Sequence, residues 1–133
     1  MLEMISTGRD TARGGHYSQA VRAGDFVFIS GQTPRDAQRT IVGATIEEQT
    51  AVTLENVQLA LDAAGASLDD VVKVNVHLAD LRDASRFNQV YARYFPVTLP
   101  ARTTVGSVLN EVMVEVDVVA YVPRSQKAAE AQA

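Results

Sequence analysis

Arg102 is the residue in this chain whose type and setting most directly suggest chemistry. It stands in Leu99-Pro100-Ala101-Arg102-Thr103-Thr104, at the start of a β-prone run. Pro100 stiffens the backbone just before it, so the guanidinium is presented from a constrained position and could pair both oxygens of a carboxylate at once. The plainer reading is a surface arginine or a salt-bridge partner. Further on, Glu115 and Asp117 share one face of an alternating run with Met113, Val119 and Tyr121. Two carboxylates among apolar side chains suit neither a purely solvated face nor a core, and point to a shared interface or pocket. For either acid alone, exposed strand polarity is the competing explanation.

Other chemistries find less support. His77 falls on a strand and His16 in a glycine-rich loop, and no His-carboxylate or HxxxH spacing suggests a metal site. Gly14-Gly15 is not followed by a Lys-Ser/Thr helix start, and neither Ser30 nor Ser107 sits in a G-x-S-x-G elbow. With no cysteine, thiolate nucleophiles, disulfides and Cys-ligated metals are excluded, and nothing suggests an oxidising compartment. The net charge of −4 with no basic run argues against nucleic acid, and the N-terminal stretch through Gly15 lacks a signal-peptide core, so a cytoplasmic location is expected.

Positioning these groups requires a fold. The 133 residues fit one domain with a single core, expected over 1–123 with a frayed tail over 124–133. Tyr17–Val21 and Phe26–Ser30 are β-prone runs around Ala23-Gly24-Asp25, a hairpin signal. Thr45 followed by Glu48 is a capping-box pattern opening a helix that Gly65 ends, with Leu54, Val57, Leu61 and Ala64 as its apolar stripe. From Val71 to Leu78 the period becomes two, with Val72, Val74, Val76 and Leu78 on one face. A second helix is predicted over 83–94, capped by Asp83 and striped by Phe87, Val90, Tyr91 and Tyr94. Pro96 and Pro100 forbid its continuation. Arg102–Leu109 and Val112–Val122 follow as strands joined by a turn near Asn110-Glu111. The order is ββ, α, β, α, ββ: an α+β fold with two helices on one side of a mixed sheet. The half-apolar side left over calls for a partner, most economically further copies of the chain.

Taken in order, Tyr17-Ser18-Gln19-Ala20-Val21, Ile29-Ser30-Gly31-Gln32 with Pro34, Asn88 through Tyr91, Pro100-Ala101-Arg102-Thr103 and Val114-Glu115-Val116 resemble the reactive intermediate deaminase (Rid, or YjgF) family, in its arginine-containing, RidA-like branch. The resemblance runs from about Tyr17 to Val122. It implies a chorismate-mutase-like homotrimer with clefts between subunits. It also implies hydrolysis of 2-imino acids or enamines to 2-keto acids and ammonia, with no metal or organic cofactor. By position, Arg102 would bind the substrate carboxylate and Glu115 would orient a water, while Tyr17, Ser30, Gly31 and Asn88 would shape the cleft. Backbone groups near Thr104 would contribute. The chain departs from the family at His16, where many members have Pro, and at Thr104, where many have Cys. Asp117 often appears as a second Glu, and the Arg102–Glu115 stretch is slightly short.

The chemistry fits these residue types. An imine carbon is already electrophilic, so the enzyme must hold the carboxylate, position a water and manage protons as ammonia leaves. Competing readings are a narrower aminoacrylate or aminomuconate-type deaminase, a non-catalytic trimer that binds small carboxylates, and a ribonuclease role, which the acidic balance disfavours. No membrane partner is expected.

Overall fold

A computed structural model describes residues 2–7 and 15–124. The helices form where the capping chemistry allows. Thr45 precedes α1 (Ile46–Ala63), and its hydroxyl accepts a 3.1 Å hydrogen bond from the Glu48 backbone N–H. The Glu48 carboxylate reaches back one residue further than in the usual box, accepting from the Ala44 N–H at 3.0 Å. After the helix, Gly65 sits at φ +76°, the left-handed conformation that glycine adopts without a Cβ penalty. Leu54, Val57 and Leu61 of the expected stripe are fully buried.

The second helix, α2 (Ala84–Tyr94), begins differently from expectation. Asp83 flanks it but makes no side-chain cap. Asp80 instead accepts from the Arg82 N–H at 2.9 Å and starts a 3-10 turn over Leu81–Asp83 that runs into the helix. Phe87, Val90 and Tyr91 are buried and Tyr94 is half-buried. The Arg86 guanidinium ties α2 to α1 through the Glu47 carboxylate at 2.7 Å.

Six strands form one sheet: β1 (Leu2–Ile5), β2 (Ala20–Ala23), β3 (Phe26–Gln32), β4 (Val71–Leu78), β5 (Ala101–Gly106) and β6 (Val114–Tyr121), in the order β1-β2-β3-β6-β4-β5. Only β4 and β5 are parallel, joined through α2 as a crossover requires. Both helices cover one face. Val114, Val116, Val118, Ala120 and Val122 alternate under them and are almost completely buried, as the period-two pattern predicts. Burying a valine side chain is worth roughly 1.5–3 kcal/mol, so this central strand is a principal contributor to the core.

Further details differ from the sequence reading. The N-terminal segment contributes β1, an edge strand paired with β2. The strand expected from Tyr17 starts at Ala20, because the preceding segment is engaged sideways: Gln19 Oε1 accepts from both the N–H and the hydroxyl of Thr7. A register shift between Val71 and Lys73 turns Val72 outward, 43% exposed, and buries Val71 in its place. Finally, β5 and β6 do not pair with each other, since β4 lies between them. Of the tail expected from residue 124, Arg124 pairs with Glu3 of β1, and 125–133 lie outside the described residues.

The uncovered face is divided. The register places Leu2, Met4, Phe26, Phe28, Val119 and Tyr121 together, the larger ones well exposed, with the Phe26 and Tyr121 rings 5.2 Å apart. Across the sheet, the same face carries Lys73, Asn75, His77, Glu115 and Asp117.

Candidate active site

Arg102 lies on β5, an edge strand, opposite Val74 of β4. Val74 is fully buried under the helices, so Arg102 points to the helical side, where α2 receives it. Its guanidinium carbon stands 4.7 Å from the Tyr91 ring centroid and 5.5 Å from that of Phe87, and Nη2 donates to Asn88 Oδ1 at 2.7 Å. Residues 87, 88 and 91 reach one spot because helical spacing brings i and i+4 to the same face, with i+1 beside them. The Phe87, Tyr91 and Phe95 rings pack in series at 5.5 and 4.7 Å, which fixes that floor. Among the described residues, no carboxylate pairs with Arg102.

Two hydroxyls add to this group. Thr104 follows on the same face of β5, and both its Oγ1 and the Tyr91 Oη are buried without a hydrogen-bond partner among the described residues. Burial raises the Tyr91 phenol above its ordinary range, and the positive charge of Arg102 opposes that rise. A cation held by a neutral amide and aromatic faces, with unspent hydroxyls around it, is equipped to receive a small anion.

The remaining expected residues form a second group. Glu115 pairs with His77 across the β6–β4 ladder, three positions along β4 from Val74, so its side chain is on the uncovered face. It lies against Gly31: a Cβ built there would stand 2.9 Å from Glu115 Oε2. Only glycine admits the carboxylate so close. Ser30 donates its hydroxyl to Ser18 O at 2.6 Å and its N–H to Gln19 O at 3.0 Å, tying the segment that carries Tyr17 to β3. Tyr17 is 41% exposed and lines one cleft together with Gly31.

The seven expected site residues thus fall into two clusters, Arg102 with Asn88 and Thr104, and Glu115 with Gly31, Ser30 and Tyr17. A single chain does not bring the clusters together, because Arg102 and Glu115 project from opposite faces of the sheet. The stacking role of Phe87 and Tyr91 is hidden in the sequence, where both read as ordinary core stripe.

His77 is part of a polar network that joins β4 and β6 to the residue following β5. Its Nδ1 is 2.8 Å from Ser107 Oγ, its Nε2 is 3.8 Å from Asp117 Oδ2, and Asn75 donates to Asp117 Oδ1 at 3.0 Å. The wide histidine–aspartate gap leaves this as a cross-strand tie. His16 is exposed.

The mixed sheet with two helices on one face defines the fold, and comparison with known proteins gives its family. The family model described as Endoribonuclease L-PSP matches residues 8–122. A RutC family protein of Pyrococcus horikoshii is 44% identical over 124 residues, covering 91% of this chain and 98% of its own. The chloroplastic Reactive Intermediate Deaminase A of Arabidopsis thaliana is 41% identical over 105 residues, covering 77% of this chain and 55% of its own. In structure, a conserved Rid-family protein of Yersinia pestis superposes with a TM-score of 0.85 at 33% identity, over 92% of this chain and all of its own. The chain belongs to the Rid/YjgF family. Among the described residues, no helix is long and apolar enough to cross a membrane.

Proposed function

We propose that the protein hydrolyses 2-imino acids and their enamine tautomers to 2-keto acids and ammonia, in clefts between copies of a homotrimer of the arginine-containing branch. One observation carries the reading: Arg102 is braced by Asn88, Phe87 and Tyr91 and is paired with no carboxylate among the described residues. The deaminase name of the plant relative agrees with it.

In this reading the guanidinium grips the substrate carboxylate through two parallel N–H···O bonds and fixes the imine carbon in place. Glu115 of a neighbouring copy orients a water, which adds to the C=N bond to give a carbinolamine. The water's proton passes to nitrogen, the C–N bond breaks, and ammonia departs as the keto group forms. No external oxidant or reductant is required. The half-apolar open face, with Leu2, Phe26, Phe28 and Tyr121 exposed, is the surface on which copies would meet and bring the two clusters together.

A second reading is favoured by the separation of Arg102 and Glu115 within one chain: a protein that stays monomeric would keep a carboxylate receptor without its acid. That protein would bind small carboxylates without turnover. The ribonuclease role suggested by the family description has less behind it, since the net charge is −4.

The test generates imines in situ with an amino-acid oxidase and follows ammonia release above the spontaneous rate. Acceleration that disappears in Arg102→Ala supports hydrolysis. No acceleration, with 2-ketobutyrate binding retained, supports the binding protein.

A further inference from the structure

We infer that the Tyr91 hydroxyl is a further carboxylate-binding group, a hydrogen-bond donor that completes the receptor begun by Arg102. The inference rests on the carboxylate reading of Arg102 given above. It adds a use for the phenol oxygen that is separate from the stacking of its ring.

Stacking alone does not call for a hydroxyl. In the series Phe87, Tyr91, Phe95 the two outer rings pack without one. The middle ring carries it, and that ring is the nearer of the two beneath the guanidinium, at 4.7 Å against 5.5 Å for Phe87. Tyr91 is 8% exposed, and its Oη makes no hydrogen bond among the described residues. A buried hydroxyl without a partner costs stability that a phenylalanine in the same space would not. An oxygen kept there at a cost, beside an arginine that pairs with no carboxylate among the described residues, points to a ligand.

The electrostatics suit a donor. Burial holds the phenol above its ordinary value of 10.0, and the charge and nearby N–H groups of Arg102 oppose that rise without cancelling it, so the group keeps its proton at neutral pH. The guanidinium is close to the oxygen, yet none of its N–H groups meets it in hydrogen-bond geometry. Lone pairs turned toward the cation leave the O–H directed away from it, available to an anion held on the guanidinium edge.

The donor count leaves a place for this group. Nη2 is engaged by Asn88 Oδ1 at 2.7 Å, and one guanidinium face lies over the aromatic rings, so a carboxylate meets the remaining edge. A carboxylate offers about four lone-pair sites, of which two parallel N–H···O bonds fill two. Tyr91 can fill a third. Its oxygen is closed off from water, but Arg102, which stands over the ring, is a half-buried side chain on an edge strand and is the part of the cover able to shift. As the guanidinium moves outward onto a carboxylate, the phenol gains the hydrogen bond that the fold leaves unmade.

The experiment compares wild type, Tyr91→Phe and Arg102→Ala by calorimetric titration with 2-ketobutyrate, beside urea denaturation of each without ligand. Tyr91→Phe keeps the ring and removes only the hydroxyl. Its Kd is expected to rise about tenfold, the scale of one hydrogen bond to a charged group, while its urea midpoint stays level or rises. A hydroxyl that merely supports the fold would give the reverse: a lower midpoint and an unchanged Kd. In imine hydrolysis the variant should raise KM and leave kcat near wild type, as expected for a group that grips the substrate and its transition state alike. The calorimetric result stands even if no imine is hydrolysed, an outcome that would remove the hydrolase reading alone. An unchanged Kd in Tyr91→Phe, beside a binding loss in Arg102→Ala, overturns the inference and leaves the arginine receptor in place. Undiminished binding in Arg102→Ala overturns both.

Discussion

Arg102 Nη2 donates a 2.7 Å hydrogen bond to Asn88 Oδ1, joining the edge strand β5 to helix α2 and aligning a cation over the Tyr91 ring. The amide and the aromatic faces hold the guanidinium without neutralising it. That distinction separates a receptor from a salt bridge, and it shapes the expectations below.

Truncating each partner should have graded effects. Arg102→Ala removes the charge and is expected to weaken 2-ketobutyrate binding by roughly 2–5 kcal/mol, the range for losing one partner of a buried charge pair. Asn88→Ala leaves the charge but loosens its aim, for an expected loss of about 1 kcal/mol, typical of one net hydrogen bond. Isothermal titration of both variants checks the order. Equal losses would mean that the amide does more than orient.

Gly31→Ala isolates the second cluster. The added Cβ would stand 2.9 Å from Glu115 Oε2, at the end of a flexible side chain, so the carboxylate can swing away while the fold holds. Stability should change by no more than about 1 kcal/mol, while imine hydrolysis falls about tenfold or more through displacement of the positioned group. Urea denaturation beside the kinetic assay separates the two effects.

Thr45→Ala tests the helix cap. Loss of the 3.1 Å bond to the Glu48 N–H should lower stability by about 1 kcal/mol with little effect on activity, since α1 lies under the sheet and carries none of the expected site residues. A shift in the urea midpoint with unchanged slope is the expected signature.

Acid stability should depend in part on Glu47. The hydrogen bond from Arg86 is the main cause that holds its carboxyl below the ordinary value of 4.5 in the folded protein. The contribution is therefore present above pH 4.5 and is lost as pH falls through the depressed folded value. Glu47→Gln should flatten that part of the stability profile. Because the pair is exposed, the difference should shrink in high salt.

The sequence discloses local features well and long-range ones poorly. The Thr45 cap, the α1 stripe and the alternation of Val114 through Val122 are written in neighbouring residues and appear as expected, with the Glu48 carboxylate displaced by one residue onto the Ala44 N–H. The insertion of β6 between β3 and β4 is a matter of distant pairing, which no local period encodes. The outward turn of Val72 follows from a register shift that its own β propensity conceals. At the site, family motifs select Arg102, Asn88 and Glu115, but the stacking beneath Arg102 and its separation from Glu115 require the packing of α2 and the register of three strands.

The most direct measurement concerns whether Arg102 and Glu115 of different copies make one site. Arg102→Ala and Glu115→Gln are each expected to be inactive in imine hydrolysis. When the two are unfolded, mixed in equal amounts and refolded together, random assembly into trimers gives an intact pair in about a quarter of the clefts. Recovery of about that fraction of wild-type activity is the predicted result. A mixture as inactive as its parents, in the presence of an active wild type refolded the same way, would contradict a site shared between copies.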